Sequence, residues 1–431
     1  MLHDRVNLPQ DQTQDAVAGL LASYAGASVV FSPIAGVLAD KSSTRQLPFL
    51  LGLAALFLAT FLLFVGSSMP VLIIARMLQG TSAAVVWTVG LALCMDTVGP
   101  ANLGTTIGSI FGFISVGNFI SPLLGGVLYK KAGYAGVFGI AFAIIAVDFF
   151  MRLLVIEKKV ACRYYANDLN NAEDTDTISS CHTAVEEGPR VNDEETPLLD
   201  KDEDGRYKIS ENQSSFVQQI PILPCLRDPG LMTALLVSFV QALLFGSFDA
   251  TIPIVAQEFF DFDSLKSGML FLPIGVFDLV LGPVAGWAVD RYGTKLLSVG
   301  GYVYLTPVLI LFRLTHAGGR SQIILFAALL SLSGVGLAII GAPSLVEAGA
   351  VIQKFHEANP DYFGEAGPYA QLYGLSSMVF NAGLALGPGL AGELKQHIGY
   401  GNANLVLGII CFVTAVLCFV FIGGRPRLRG T

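Results

Sequence analysis

Four ionisable residues stand inside otherwise apolar stretches of this 431-residue chain. Asp249 lies in "LLFGSFDATIPI", Asp278 in "FLPIGVFDLVLGP" and Arg76 in "RMLQGTSAA", while Asp148 comes four residues before Arg152 in "IIAVDFFMR". A carboxylate in apolar surroundings is costly to ionise, so it can load and release a proton where an exposed one would stay charged. Asp249 has no basic residue within a turn on its own helix, and its charged form needs a partner from elsewhere. Arg76, with Gln79 one turn on, is the candidate partner. The competing reading of Asp249, Asp278 and Arg76 is static buried pairing. For Asp148 it is an i,i+4 pair with Arg152 on one helix face. Other chemistry is not indicated. The five histidines are scattered, no Cys/His metal spacing occurs, and no glycine loop precedes a Lys-Ser/Thr. The expectation is therefore no enzyme, no cofactor and no metal.

What must position these charges is a membrane. The chain is 53% hydrophobic and only 13% charged, where a soluble domain carries about 25% charged residues. Its mean hydropathy is +0.63. Eleven apolar runs are long enough to cross a bilayer, at 17–39, 47–66, 70–96, 104–128, 133–155, 230–256, 265–289, 295–314, 321–349, 368–394 and 402–423. Each must be helical, because lipid offers the backbone no hydrogen-bond partner. A charge in mid-span costs about 2.5–3.5 kcal/mol on insertion scales, so it is seldom idle.

The long polar segment 156–228 holds 16 acidic and 8 basic residues, and the rest of the chain is balanced, so this loop carries the whole net charge of −8. The charge balance gives no indication of a nucleic-acid partner. The composition reads as disordered. The expected organisation is a helical half over 1–155, this acidic cytosolic loop, a second helical half over 229–424, and a short tail over 425–431.

The halves repeat. "GVLADKSSTR", Gly36–Arg45, matches "GWAVDRYGTK", Gly286–Lys295, with Gly36, Asp40, Lys41 and Arg45 aligned to Gly286, Asp290, Arg291 and Lys295. "GNFISPLLGG", Gly117–Gly126, matches "GLALGPGLAG", Gly383–Gly392. Two unrelated phrases in the same order in each half indicate an internal repeat of the kind many transporters contain.

With these phrases on the page, the chain resembles the major facilitator superfamily over essentially its whole length. "GWAVDRYGTK" is similar to that family's loop motif between the second and third helices of a half. "RMLQGTSAA" resembles its fourth-helix motif, and "GSIFGFISVGNFISPLLGG" the fifth-helix pattern of proton-driven exporters, with Ser121 where Gly is usual. "FGSFDATIPI", "FLPIGV" and "YGLSSMVFNAGLALGPGLAG" are similar to the drug:proton antiporter and vesicular amine transporter branch. The resemblance implies an all-α membrane protein with two pseudo-symmetric six-helix halves, of which eleven spans are expected here and the first is missing. Two pocket carboxylates of the amine branch correspond to about Ala338 and Ser377.

The motifs assign expected roles. Asp290 falls at a helix C-terminus, facing the N-terminus of a neighbouring helix or an arginine from it, with Arg291, Gly293 and Lys295 just beyond. The same cluster in the first half contains Asp40, Lys41 and Arg45. Asp96 and Glu347 end corresponding spans and are expected to join these clusters. Such clusters would hold the cytosolic side closed in one state and release it in another, or be ordinary inner-face charge. Gly108, Gly117, Gly125 and Gly126, with Pro122 as a kink, would allow close helix contact. Gly383, Gly387, Pro388 and Gly392 repeat the pattern. Gln79, Trp87, Asn118, Phe248, Tyr373 and Asn381 are candidates for a substrate cavity.

Basic residues near the spans number twelve on the side of the acidic loop and seven on the other, which places that loop in the cytosol. Within it, "DEETPLLD" fits an acidic dileucine sorting signal, Glu194 with Leu198 and Leu199, resembling signals read by adaptor complexes. The expected protein is a monomer in a vacuolar-type or plasma membrane. Its expected partners are the lipid bilayer, a small organic substrate, protons and a sorting adaptor. Proton antiport out of the cytosol is the leading function. An uncoupled facilitator, or a truncated non-transporting membrane protein that binds or regulates a partner, are the alternatives.

Two outcomes test the map. Ser179→Cys and Arg429→Cys should resist a membrane-impermeant thiol reagent in intact cells and react after permeabilisation; reaction from outside inverts the topology. Leu198→Ala with Leu199→Ala should shift the protein from an internal membrane to the cell surface, and unchanged microscopy of the double variant removes the signal.

Overall fold

The computed structural model describes residues 10–42, 44–99, 102–154, 207–209, 220–363 and 367–423. The sorting phrase Glu194–Leu199, the tail 425–431 and most of the loop lie outside them. Every regular element among the described residues is helical.

The first group comprises α1 (Gln10–Lys41), α2 (Gln46–Val65), α3 (Met69–Val98) and α4 (Leu103–Leu154). Gly133 divides α4 into two limbs through a left-handed φ of 65° that other residues adopt only under strain. The second group comprises α5 (Pro229–Phe260), α6 (Ser264–Met269), α7 (Leu272–Tyr292), α8 (Thr294–Leu311), α9 (Arg320–Gly341), α10 (Pro343–Ala358), α11 (Pro360–Phe363), α12 (Tyr369–Ile398) and α13 (Tyr400–Phe421). Gly399, at φ 80°, separates α12 from α13 as Gly133 separates the limbs of α4. Asp228 starts α5 by accepting hydrogen bonds from Gly230 N at 2.8 Å and Leu231 N at 3.1 Å, ahead of Pro229 at the first helical position.

All eleven expected segments are helical. Among the described residues, nine helices are long and apolar enough to cross a membrane, and 104–128 and 368–394 are not among those nine. The α12 segment is polar for a span, with Gln371, Ser376, Ser377 and Asn381 along it. The expected span 321–349 contains a break at Ala342, where Pro343 cannot donate to the preceding turn.

Part of the expected disordered loop is folded. Leu223–Arg227 form one 3-10 turn, with Ile222 and Cys225 buried. Upstream, Tyr207–Ile209 lie against the end of α10. The Asn359 amide clasps them, donating to Tyr207 O at 2.7 Å and accepting from Ile209 N at 2.9 Å. Apolar residues at 207, 209, 220, 222 and 226 belong to or pack against the core shared by both groups.

Two apolar cores result. One lies wholly within the second group, around Tyr302, Leu305, Phe312 and Phe326 of α8, its 3-10 extension and α9. Tyr302 spends its hydroxyl on Val237 O of α5 at 2.9 Å. The other core spans both groups. It joins Ala39, Val89, Met95 and Leu103 to Leu345, Ile352 and Tyr373. The groups are not equally packed: the α5 span is 78% buried and the second limb of α4 11%. In the second group Gly383 and Gly387 of α12 press against Phe239 O and Leu243 O of α5, whereas nothing stands within 4 Å of a Cβ at Gly117.

Candidate functional site

The repeat fixes a register that the contacts obey. The phrase alignment pairs α1 with α7 at an offset of 250 residues, and α4 with α12 at 266. In space α1 packs on α12 and α4 packs on α7, so each repeat-related pair crosses between the groups. There are thus two equivalent seams.

The first rung of each seam is an aspartate on a helix N-terminus. Asp290 Oδ1 accepts from Gly104 N at 2.7 Å, and Oδ2 from Thr105 N at 2.8 Å and Thr105 Oγ1 at 2.7 Å. Asp40 does the same for α12, accepting from Ala370 N at 3.1 Å and Gln371 N at 2.8 Å. The first N–H groups of a helix have no intrahelical partner, and the helix dipole favours an anion there. The second rung is a glycine. A Cβ on Gly286 would strike Gly104 O, and one on Gly36 would stand 2.6 Å from Ala370 O. On the third rung a Cβ on Gly108 would strike Gly282 O, and one on Gly374 would stand 2.5 Å from Ser32 O. Further along, a Cβ on Gly112 would stand 3.2 Å from Leu279 O, a carbonyl whose usual helical donor is lost because residue 283 is proline.

Around these rungs the charges differ. Arg45 bridges Asp40 at 3.0 Å and Asp96 at 3.2 Å. Burial works against its charge, but Asp40 and Asp96 outweigh that and hold the guanidinium's pKa above its ordinary value. Lys41 is exposed. In the second group, Asp290 makes no ion pair among the described residues. Arg291 sits over the Trp287 ring at 5.6 Å and Lys295 over Phe419 at 5.1 Å. Glu347, expected in a charge cluster, instead accepts from Thr294 Oγ1 and from Gly423 N at 3.0 Å, tying α8 and the end of α13 to α10.

The intramembrane charges also fall differently from expectation. Arg76 turns to Gln79 Oε1 at 2.9 Å on its own helix. Asp249 is exposed and bonds to no described residue, so the two do not pair. Asp148 and Arg152 do not pair either. Arg152 lies over Phe49 at 5.2 Å. Asp148 lines a cavity of about 620 Å³ with Leu56, Ile144 and Met151, between α2 and the second limb of α4. Asp278 is buried within a seam, hydrogen-bonded by Ser115 Oγ of α4.

Two expected cavity residues are packed instead. Phe248 is buried against Phe312 in the second group's core, and Tyr373 is fully buried in the shared core. Asn118 is exposed. Trp87 meets Phe111 edge-on at 5.9 Å, and Phe111 meets Phe380 at 6.5 Å across the groups. Asn381 donates to Ser377 O at 2.8 Å, and Ser377 shares a 3.0 Å hydrogen bond with Ser32 of α1. Pro122 and Gly126 fall within the first limb of α4; Gly125 and Gly392 meet no neighbour within 4 Å of a Cβ position. Sequence reasoning missed Thr105, Ser115, Gly282 and Gly374. Extending the repeat register nine to twelve residues upstream of its second phrase would have reached both Gly374 and Thr105.

An all-helical membrane protein whose two groups meet in repeat-related seams has the architecture of a transporter. The sequence profile of the Major Facilitator Superfamily matches residues 7–355. The chain is 45% identical to the "MFS-type transporter ppzB" of Metarhizium majus over 99% of its own length and 94% of the relative's. It is 25% identical to the vesicular acetylcholine transporter of Drosophila melanogaster, over 91% of this chain and 58% of that one. The fold matches the human organic anion transporter MFSD10 (TETRAN) with a TM-score of 0.68 at 17% identity, over 97% of this chain and 87% of that one. The chain belongs to the Major Facilitator Superfamily and is an integral, multi-pass membrane transporter.

The seam predicts a conformational effect. Asp290→Asn keeps the shape but removes the anion from the N-terminus of α4. The loss is on the order of 1 kcal/mol, about fivefold in the ratio of joined to parted seams. Cross-linking between cysteines at the ends of α4 and α7 should fall accordingly, with normal protein levels in the membrane.

Proposed function

We propose that this transporter exports a small organic compound from the cytosol by proton antiport, alternating between a state closed at the cytosolic face and one open there. The observation that carries the reading is the pair of carboxylate caps, Asp40 on α12 and Asp290 on α4, which join the two groups at one end of both seams. The excess of basic residues assigns that end to the cytosol. Parting the seams would free both helix N-termini to water, and closing them would re-form the caps. This makes the caps, with Arg45 and Asp96, the gate. Asp249 is the proton carrier in this reading, since it is exposed on α5 and held by no described residue. Its charged form is stable only where water reaches it. Protonation would remove that requirement and let the cavity close.

The relative named for acetylcholine supports a small organic ion as cargo. The location is proposed as a vacuolar-type or plasma membrane, with the dileucine phrase as the adaptor's contact.

The test is uptake into vesicles with an imposed proton gradient, using a panel of organic cations and anions. The wild type should concentrate at least one compound against its gradient. Asp249→Asn should abolish that accumulation while leaving passive exchange measurable. Accumulation by Asp249→Asn equal to the wild type removes Asp249 from coupling.

A further inference from the structure

The two seams match rung for rung until the fourth, where they part company. The offset of 250 residues pairs Asp278 of α7 with Ser28 of α1, and the offset of 266 pairs Ser115 of α4 with Asn381 of α12. One seam therefore holds a carboxylate with a hydroxyl. The other holds a hydroxyl with an amide. Asp278 is 4% exposed and takes the Ser115 hydrogen bond across the seam. Ser28 is 1% exposed, and its hydroxyl has no partner among the described residues. Asn381 turns instead to Ser377 on its own helix. The scaffold thus closes one seam without an acid at this level, so the fold itself does not require Asp278.

Among the described residues, the surroundings of Asp278 hold no counter-charge. The first limb of α4 carries only Lys130 and Lys131, near its far end, and α9 only Arg320 at its start. The short α6 has Lys266, and α8 has Lys295 at its start with Tyr302 turned to Val237 O and Tyr304. On α10 stand Glu347, held by Thr294 and Gly423, and Lys354, His356 and Glu357 towards its end. On α7 itself the next ionisable group is Asp290, three turns away, or ~18 Å along the helix. A buried carboxylate with one hydrogen bond and no cation is accommodated neutral; ionised, it needs water.

We infer that Asp278 and Ser115 form a proton-operated latch between the two groups of helices: the seam between α4 and α7 closes on the neutral acid and opens when water lets the acid ionise. The inference rests on the alternating-access reading above. It does not rest on Asp249, and the carboxylate it uses lies in the contact between the groups. It also predicts that the seams are unequal in response to pH, since only one of them contains an acid at this level.

The test reads conformation without substrate. Spin labels are placed at Leu47→Cys and Leu296→Cys, two exposed positions at the seam-closed end, one in each group. The native cysteines are changed to serine, and the 431-residue chain is held in lipid nanodiscs. Between about pH 5.5 and about pH 8 the wild-type distance should lengthen, with the closed-to-open ratio falling by up to tenfold per pH unit, the most that one proton allows. Asp278→Asn should hold the short distance at both pH values. Ser115→Ala should keep the transition but move its midpoint, a readout that a packing defect alone would not give. A pH-dependent lengthening in Asp278→Asn equal to the wild type overturns the latch. A distance that never changes in the wild type, at any pH or with any transported compound, overturns the alternating-access reading instead.

Discussion

A helix that begins inside a membrane protein exposes N–H groups that nothing on its own backbone can satisfy. Here two such helices, α4 and α12, have that need met by an aspartate from the opposite group. Most of the seam follows from this. An aspartate side chain is short, so the backbones must come close enough for it to reach. Close backbones require glycine at the next turn, which is where Gly286 meets Gly104 and where Gly36 meets Ala370. The turn after that shows the same constraint in Gly108 with Gly282 and in Gly374 with Ser32. The glycine pattern is thus a consequence of the caps.

The equivalence of the seams ends at their margins. Arg45 bridges Asp40 and Asp96, so the first group's cap is part of an ion-pair network. Asp290 has three hydrogen bonds and no ion pair among the described residues, while the cations beside it lie over aromatic rings. The α4–α7 seam therefore relies more on its hydrogen bonds to the α4 N-terminus. It is also the seam that contains Asp278. Both features make its closure the more sensitive to local charge.

What the sequence revealed depended on the range of the interaction. Apolar runs are local, so the eleven segments are mainly helical, with 265–289 and 321–349 each divided between two helices. The phrase repeat is long in sequence but simple in register, so Asp40 and Asp290 were legible as equivalent positions, with a helix N-terminus or an arginine as the expected partner of Asp290. Contacts set by helix rotation were not legible. Arg76 and Asp249 lie on spans with compatible chemistry, yet Arg76 turns to Gln79. Asp148 and Arg152 have the spacing of a pair, but the guanidinium finds the Phe49 ring first. Phe248 and Tyr373 read as cavity aromatics because an aromatic's type does not say which way its helix faces, and both turn inward. Within the acidic loop, composition averaged over 156–228 concealed Tyr207, Ile209 and Ile222, whose burial is decided one residue at a time.

A gate of the kind proposed must hold without holding too strongly. In lipid, apolar surface gains little by leaving its neighbours, so helix association depends on van der Waals contact and hydrogen bonds. The seams meet that condition with the smallest side chains available. Over three turns, the α4–α7 contact includes glycine backbones, a threonine, a serine and two aspartates. Its hydrogen bonds can be replaced by water once the seam parts. The larger apolar residues are placed elsewhere. One core lies wholly within the second group and is untouched by any parting of the seams. The shared core is concentrated at the closed end, where Leu103, Met95 and Tyr373 meet Ile352 and Leu345. Opening that end would break this shared core and both caps together. The cost of opening is thereby set by a few residues near the caps, and the rest of each group can move as an intact body.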